Sequence, residues 1–119
     1  LDEIIDYCLR SGIDGIVAGN TTRSREGIES ISKAKIDAIG NGGMSGAPLH
    51  QKNLELVRYV HAKSEGKLPI IGVGGIMTPQ QAKAMLDAGA SLVEIYTGFI
   101  YEGPALIKNI IKYLETPSK

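Results

Sequence analysis

The joint Gly12-Ile13-Asp14 recurs as Gly89-Ala90-Ser91, and at both places a helical apolar stripe stops at a glycine and leads straight into a short β-branched run. That repeat constrains the fold more than any other feature. Glycine commonly ends a helix, and a brief apolar run rich in Val and Ile is what a strand buried on both faces requires. Three such runs are present, Gly15-Ile16-Val17-Ala18, Pro69-Ile70-Ile71-Gly72-Val73 and Leu92-Val93-Glu94-Ile95-Tyr96. Each is too short for a helix.

Helical patterns separate them. Residues 1–10 place Leu1, Ile4, Ile5, Cys8 and Leu9 on one face, and residues 49–64 turn Leu56, Val57 and Val60 to a core before Gly66. Thr78 can cap a third helix with Pro79 at its first position, where a missing N–H costs nothing, and Ala82, Met85 and Leu86 form its apolar face. A tail helix from Pro104 carries Leu106, Ile107, Ile110, Ile111 and Leu114 at helical spacing, and Pro117 stops it. Residues 23–48 are polar and glycine-rich and read as one long loop, a length that usually carries function.

Helix, strand, helix, strand, helix, strand, helix is the order of a parallel α/β sheet. A doubly wound sheet and part of a (β/α)8 barrel both fit it, and the glycines after the strands favour the barrel. A full barrel needs about 250 residues, so 119 residues supply about half of one, with parallel strands inside and helices outside. The chain opens on Leu1 directly in a helix pattern, so a complementary N-terminal half is expected beyond these residues, and residues 1–119 read as the C-terminal part of a single domain.

Composition narrows the partners. Thirteen basic residues balance thirteen acidic ones, which gives no general attraction for nucleic acid or an anionic membrane. The single cysteine, Cys8, excludes an internal disulfide framework and reads as core. No apolar run is long enough to span a membrane, and no signal-peptide pattern is present.

In α/β proteins the working groups gather where strands end. After the second strand, Gly72-Val73-Gly74-Gly75-Ile76 lets backbone amides approach an anion, and Tyr96-Thr97-Gly98 offers more amides and a hydroxyl at the next strand. Together they point to a phosphate, although glycines here also suit tight packing. The spacing is not the dinucleotide fingerprint. Asn20 and Thr21 follow the first strand, where a carboxamide can pair with the amide edge of a planar heterocycle or cap a turn. His50 and His61 lack metal-ligand spacing and read as surface or helix-face residues, so no metal is expected. No nucleophilic triad or carboxylate pair can be assembled.

Five ordered strings carry a resemblance. Val17-Ala18-Gly19-Asn20-Thr21-Thr22, Gly42-Gly43-Met44-Ser45-Gly46-Ala47-Pro48-Leu49, Ile70-Ile71-Gly72-Val73-Gly74-Gly75-Ile76, Ala88-Gly89-Ala90-Ser91-Leu92-Val93 and Tyr96-Thr97-Gly98-Phe99 with Gly103-Pro104 are similar in order and spacing to the C-terminal half of class 2 dihydroorotate dehydrogenases. The family is a (β/α)8 flavoprotein that oxidises dihydroorotate to orotate in pyrimidine synthesis and passes electrons through FMN to a membrane quinone. The resemblance implies FMN contacts at Gly19, Ser45, Gly46, Gly74, Gly75, Tyr96, Thr97 and Gly98, with the phosphate near Gly74, Gly75 and residues 96–98. It implies orotate contacts at Asn20 and Thr21. Gly19 stands where the family often has threonine, and Met44 where it usually has leucine.

The family's general-base serine and flavin-side lysine come from earlier strands, so no catalytic residue is expected in this chain and no turnover from it alone. Its membrane-docking N-terminal helices also lie outside these residues, which implies a soluble chain whose parent sits peripherally on the cytoplasmic face of a membrane, a bacterial inner membrane being the expected case. Two other readings stay open. One is another FMN or phosphate-binding barrel, such as a dihydropyrimidine dehydrogenase domain or a glycolate-oxidase-like protein, against which Asn20-Thr21-Thr22 argues. The other is a non-catalytic phosphate-binding half barrel that pairs through its exposed sheet edges.

Overall fold

The computed structural model describes residues 1–117. Three strands, β1 (Ile16–Ala18), β2 (Ile70–Val73) and β3 (Leu92–Glu94), form one parallel sheet in the order β1-β2-β3. Ile16 is level with Ile70, Ala18 with Gly72, and Val73 with Glu94. Helix α1 (Asp2–Ser11) precedes β1, α3 (His50–Lys63) connects β1 to β2, and α4 (Pro79–Asp87) connects β2 to β3. Parallel strands need such crossovers, and the helices cover one sheet face.

Local chemistry sets the ends of these elements. α1 stops at Gly12 in the left-handed region, φ 72°. Thr78 accepts a hydrogen bond from the Gln81 amide at 3.2 Å at the start of α4, with Pro79 in the first turn. The Tyr59 hydroxyl donates to Asp2, joining α3 to α1.

The core lies between the sheet and its helices. Ile5, Val57, Ile70 and Met85 are each fully buried. A side chain at Gly72 would come within 2.5 Å of Met85 Cγ, so glycine there lets α4 settle against β2. Cys8 is buried in this core, as its stripe requires. The opposite sheet face is bare: Val17, level with Ile71 and through it with Leu92, is 52% exposed and Leu92 62% exposed. Strand side chains alternate in direction, and in a barrel this second face points to the interior.

Several details differ from the sequence-based expectation. Residues 23–48 contain a helix, α2 (Lys33–Ile39), which is capped by Ser32 and buries none of its residues, followed by a 3-10 turn at Ala47–Leu49. β3 ends at Glu94, and a short α5 (Thr97–Glu102) precedes α6 (Pro104–Glu115). In α6 only Leu106 and Ile110 are buried, while Ile107, Ile111 and Leu114 stay exposed. Likewise Ile5 and Cys8 of α1 are buried while Leu1, Ile4 and Leu9 are exposed. These stripes are wider than the surface the described residues offer to cover them.

Candidate active site

One cavity of about 340 Å3 opens at the carboxyl ends of the three strands. All ten site residues expected from the sequence line it. Gly19, Asn20 and Thr21 come from the end of β1, Ser45 and Gly46 from the far end of the excursion, Gly74 and Gly75 from the loop after β2, and Tyr96, Thr97 and Gly98 from the loop and helix after β3. Leu49, Val73, Ile76, Glu94 and Ile95 complete the wall.

Close backbone approach explains the glycines. Gly74 and Gly75 have φ of 101° and 79°, and a side chain on Gly75 would overlap the backbone of His50 at the start of α3. One on Gly74 would strike the Asn53 carboxamide, and one on Gly98 the Ile76 carbonyl. Glycine is thus demanded by packing as well as left open toward the cavity. The excursion is closed by a two-way backbone pair, Thr22 N to Met44 O at 3.0 Å and Met44 N to Thr22 O at 2.7 Å. Thr97 reaches across to Ser45, its hydroxyl donating to Ser45 Oγ at 3.1 Å.

Asn20 does what an asparagine after a strand commonly does, its Oδ1 accepting from the Thr21 amide at 2.7 Å. It nevertheless stays exposed and on the cavity wall. Among the described residues no lysine, arginine or histidine lines the cavity, and Glu94 is its one carboxylate. An anion bound here would be held by amides and hydroxyls.

Sequence reasoning missed His50 and Asn53. Both sit in the first turns of α3 under the Gly74-Gly75 loop, and His50 Nδ1 and Asn53 Nδ2 are buried without a hydrogen-bond partner among the described residues. Burial holds the His50 imidazole below the ordinary histidine range. Their only sequence signal is their position just after Gly46-Ala47-Pro48. His61 lies against Gly66 and Gly89, where either glycine's side chain would crowd its ring, which is a packing role.

A profile of the dihydroorotate dehydrogenase family matches residues 1–117. The chain belongs to that family. It is 46% identical over 115 residues to a dihydroorotate dehydrogenase (quinone) of Salinispora arenicola, covering 97% of this chain and 33% of that protein. It is 51% identical over 110 residues to the dihydroorotate dehydrogenase (quinone) of Christiangramia forsetii, covering 92% of this chain and 31% of that protein. A crystal structure of the Eimeria tenella dihydroorotate dehydrogenase in complex with ferulenol superposes with a TM-score of 0.83 at 37% identity, over 95% of this chain and 29% of that one. The chain therefore spans about a third of the length of the dehydrogenases it matches, and its three parallel strands with outer helices are part of their α/β barrel. Among the described residues no helix is long and apolar enough to cross a membrane.

Proposed function

We propose that the protein containing this chain is a quinone-dependent dihydroorotate dehydrogenase that oxidises dihydroorotate to orotate in pyrimidine biosynthesis, with FMN bound in the cavity described above. The observation that carries the reading is convergence. Residues far apart in sequence, expected at FMN and orotate from four separate motifs, line a single cavity at the strand ends.

The residues fit the group. The glycine backbones of Gly74 and Gly75, held against α3, and the amides and hydroxyl of residues 96–98 would hold the phosphate without a basic side chain. Gly19, Ser45 and Gly46 would lie along the flavin. When bound, FMN supplies the hydride acceptor, and quinone takes the electrons onward. Asn20 and Thr21 bind and orient the pyrimidine by its amide edge. The proton lost from C5 needs a base, which in this reading is a serine carried by the remaining part of the barrel, as is the lysine beside the flavin. This chain by itself is then inactive, and its bare sheet face and edges are where the rest of the barrel packs. Membrane contact, on the cytoplasmic face, belongs to a segment beyond these residues.

The test uses the full-length protein. One FMN per chain, seen as flavin absorbance after purification, with quinone reduction that depends on dihydroorotate is the expected result. A colourless protein that binds simple phosphate esters and reduces no quinone would replace the reading with a non-catalytic phosphate-binding barrel. Flavin with another substrate would point to a different FMN barrel enzyme.

A further inference from the structure

We infer that Arg25 is a positioning residue for the substrate end of this cavity, a clasp that sets the gap between Asn20-Thr21 on one side and Ser45-Gly46 on the other. The inference rests on the dehydrogenase reading. Its geometry is independent of it. The guanidinium donates through Nη2 to the Gly42 carbonyl at 2.7 Å and the Gly40 carbonyl at 3.1 Å, and Nη1 lies 3.5 Å from the Thr22 carbonyl. Three carbonyls from both arms of the excursion thus converge on one half-buried side chain.

The clasp sits beside the Thr22–Met44 backbone pair, and Thr21 packs against Gly43, where any side chain would overlap its hydroxyl. Asn20 and Thr21 leave this junction on one strand, Ser45 and Gly46 on the other, and all four line the cavity. Arg25 adds the side-chain part of this junction to the Thr22–Met44 backbone pair, and α2, which buries no residue against the body of the protein, adds nothing to it. A planar fork of five N–H donors can serve several carbonyls at once, whereas an ammonium is a point donor on a flexible stem. The phosphate end is built from other loops, after β2 and β3, and its one side-chain hydrogen bond to the excursion's end among the described residues is that from Thr97 to Ser45. Loosening the clasp should therefore disturb the substrate and spare the phosphate.

The experiment compares R25A and R25K with the wild type in the full-length protein, reading FMN per chain, quinone KM, dihydroorotate KM and kcat, and amide exchange at Thr22 and Met44. R25K keeps charge and length and stands in where R25A is too unstable to purify. The expected result is unchanged FMN content and quinone KM, faster exchange at both amides, and a dihydroorotate KM raised about tenfold or more in R25A. R25K should stay several-fold above wild type, since one ammonium cannot span the carbonyls. A dihydroorotate KM within about twofold of wild type in an active, flavin-loaded enzyme overturns the clasp alone. Flavin lost in step with the rise in KM also overturns it, because that marks a general structural defect. A wild-type protein without flavin or dihydroorotate oxidation overturns the dehydrogenase reading, and the substrate role falls with it.

Discussion

The hydroxyl of Thr97 donates to Ser45 Oγ at 3.1 Å, and that bond joins the loop after β3 to the end of the excursion after β1. Both residues lie on the cavity wall and the bond is exposed to solvent. An exposed hydroxyl pair contributes little to folding, but the same hydroxyl aimed at a phosphate makes a charge-assisted bond. Thr97→Val should therefore shift the unfolding free energy of the flavin-free protein by less than about 0.5 kcal/mol. It should weaken FMN binding by about 1.5–3 kcal/mol, roughly ten- to a hundredfold. Flavin fluorescence titration and urea unfolding of the same samples separate the two. Unaltered FMN affinity would remove Thr97 from the phosphate site.

Gly12 and Gly75 share a positive φ, 72° and 79°, and differ in surroundings. A Cβ at Gly12 meets nothing within 4 Å, while one at Gly75 overlaps the His50 backbone. Gly12→Ala then carries only the left-handed penalty of about 1–2 kcal/mol. Gly75→Ala adds a backbone collision that only movement of the loop can relieve, so it should cost more and should also lower FMN content. Denaturant unfolding of both variants in the full-length protein checks the order, and equal costs would mean that the Gly75 contact relaxes freely.

Ile70 is fully buried at the middle of the sheet, level with Ile16 across the β1–β2 ladder. Truncation to alanine removes buried methyl groups and leaves a cavity between the sheet and its helices. Ile70→Ala should cost about 2–5 kcal/mol in chemical denaturation, while Ile39→Ala on the unburied, 74% exposed end of α2 should cost under about 0.5 kcal/mol. A small loss at Ile70 would show that the core collapses to fill the space.

The strands and the cavity glycines were legible in the sequence for a physical reason. Val17 and Leu92 are apolar although exposed in this chain, and Ile71 between them is half-buried, so each strand keeps the continuous apolar run of a two-sided burial that a barrel completes. Eight of the ten cavity residues follow those runs directly, whereas Ser45 and Gly46, at the far end of the excursion, were legible only through the family resemblance. α2 was not, since a helix with no buried residue lacks the apolar periodicity that marks one, and only Ser32 and Gly40 hinted at its ends. His50 and Asn53 were hidden for a related reason. Their polar atoms are buried by the loop after β2, a contact between segments that no local pattern records. In the α1 and α6 stripes Leu1, Ile4 and Leu9 and Ile107, Ile111 and Leu114 stay exposed, so periodicity marked these helices but not how much of each stripe the described residues bury.

Acid stability offers the last test. Burial lowers the His50 pKa relative to its ordinary value near 6.5, so the folded protein resists a proton that the unfolded chain accepts. A depressed folded pKa stabilises above the unfolded value and that contribution is lost as pH falls through the folded one. Stability should accordingly decline as pH drops below about 6.5. Asp2 follows the same sign in a separate, lower window, because the Tyr59 hydroxyl and then Lys63 hold its carboxyl below the usual range near 3.8. Urea midpoints measured from pH 8 to pH 5 should fall for the wild type and flatten for His50→Gln. Parallel curves for the two proteins would mean that the His50 imidazole reaches solvent when it is protonated, and that the Gly74-Gly75 loop opens to let it do so.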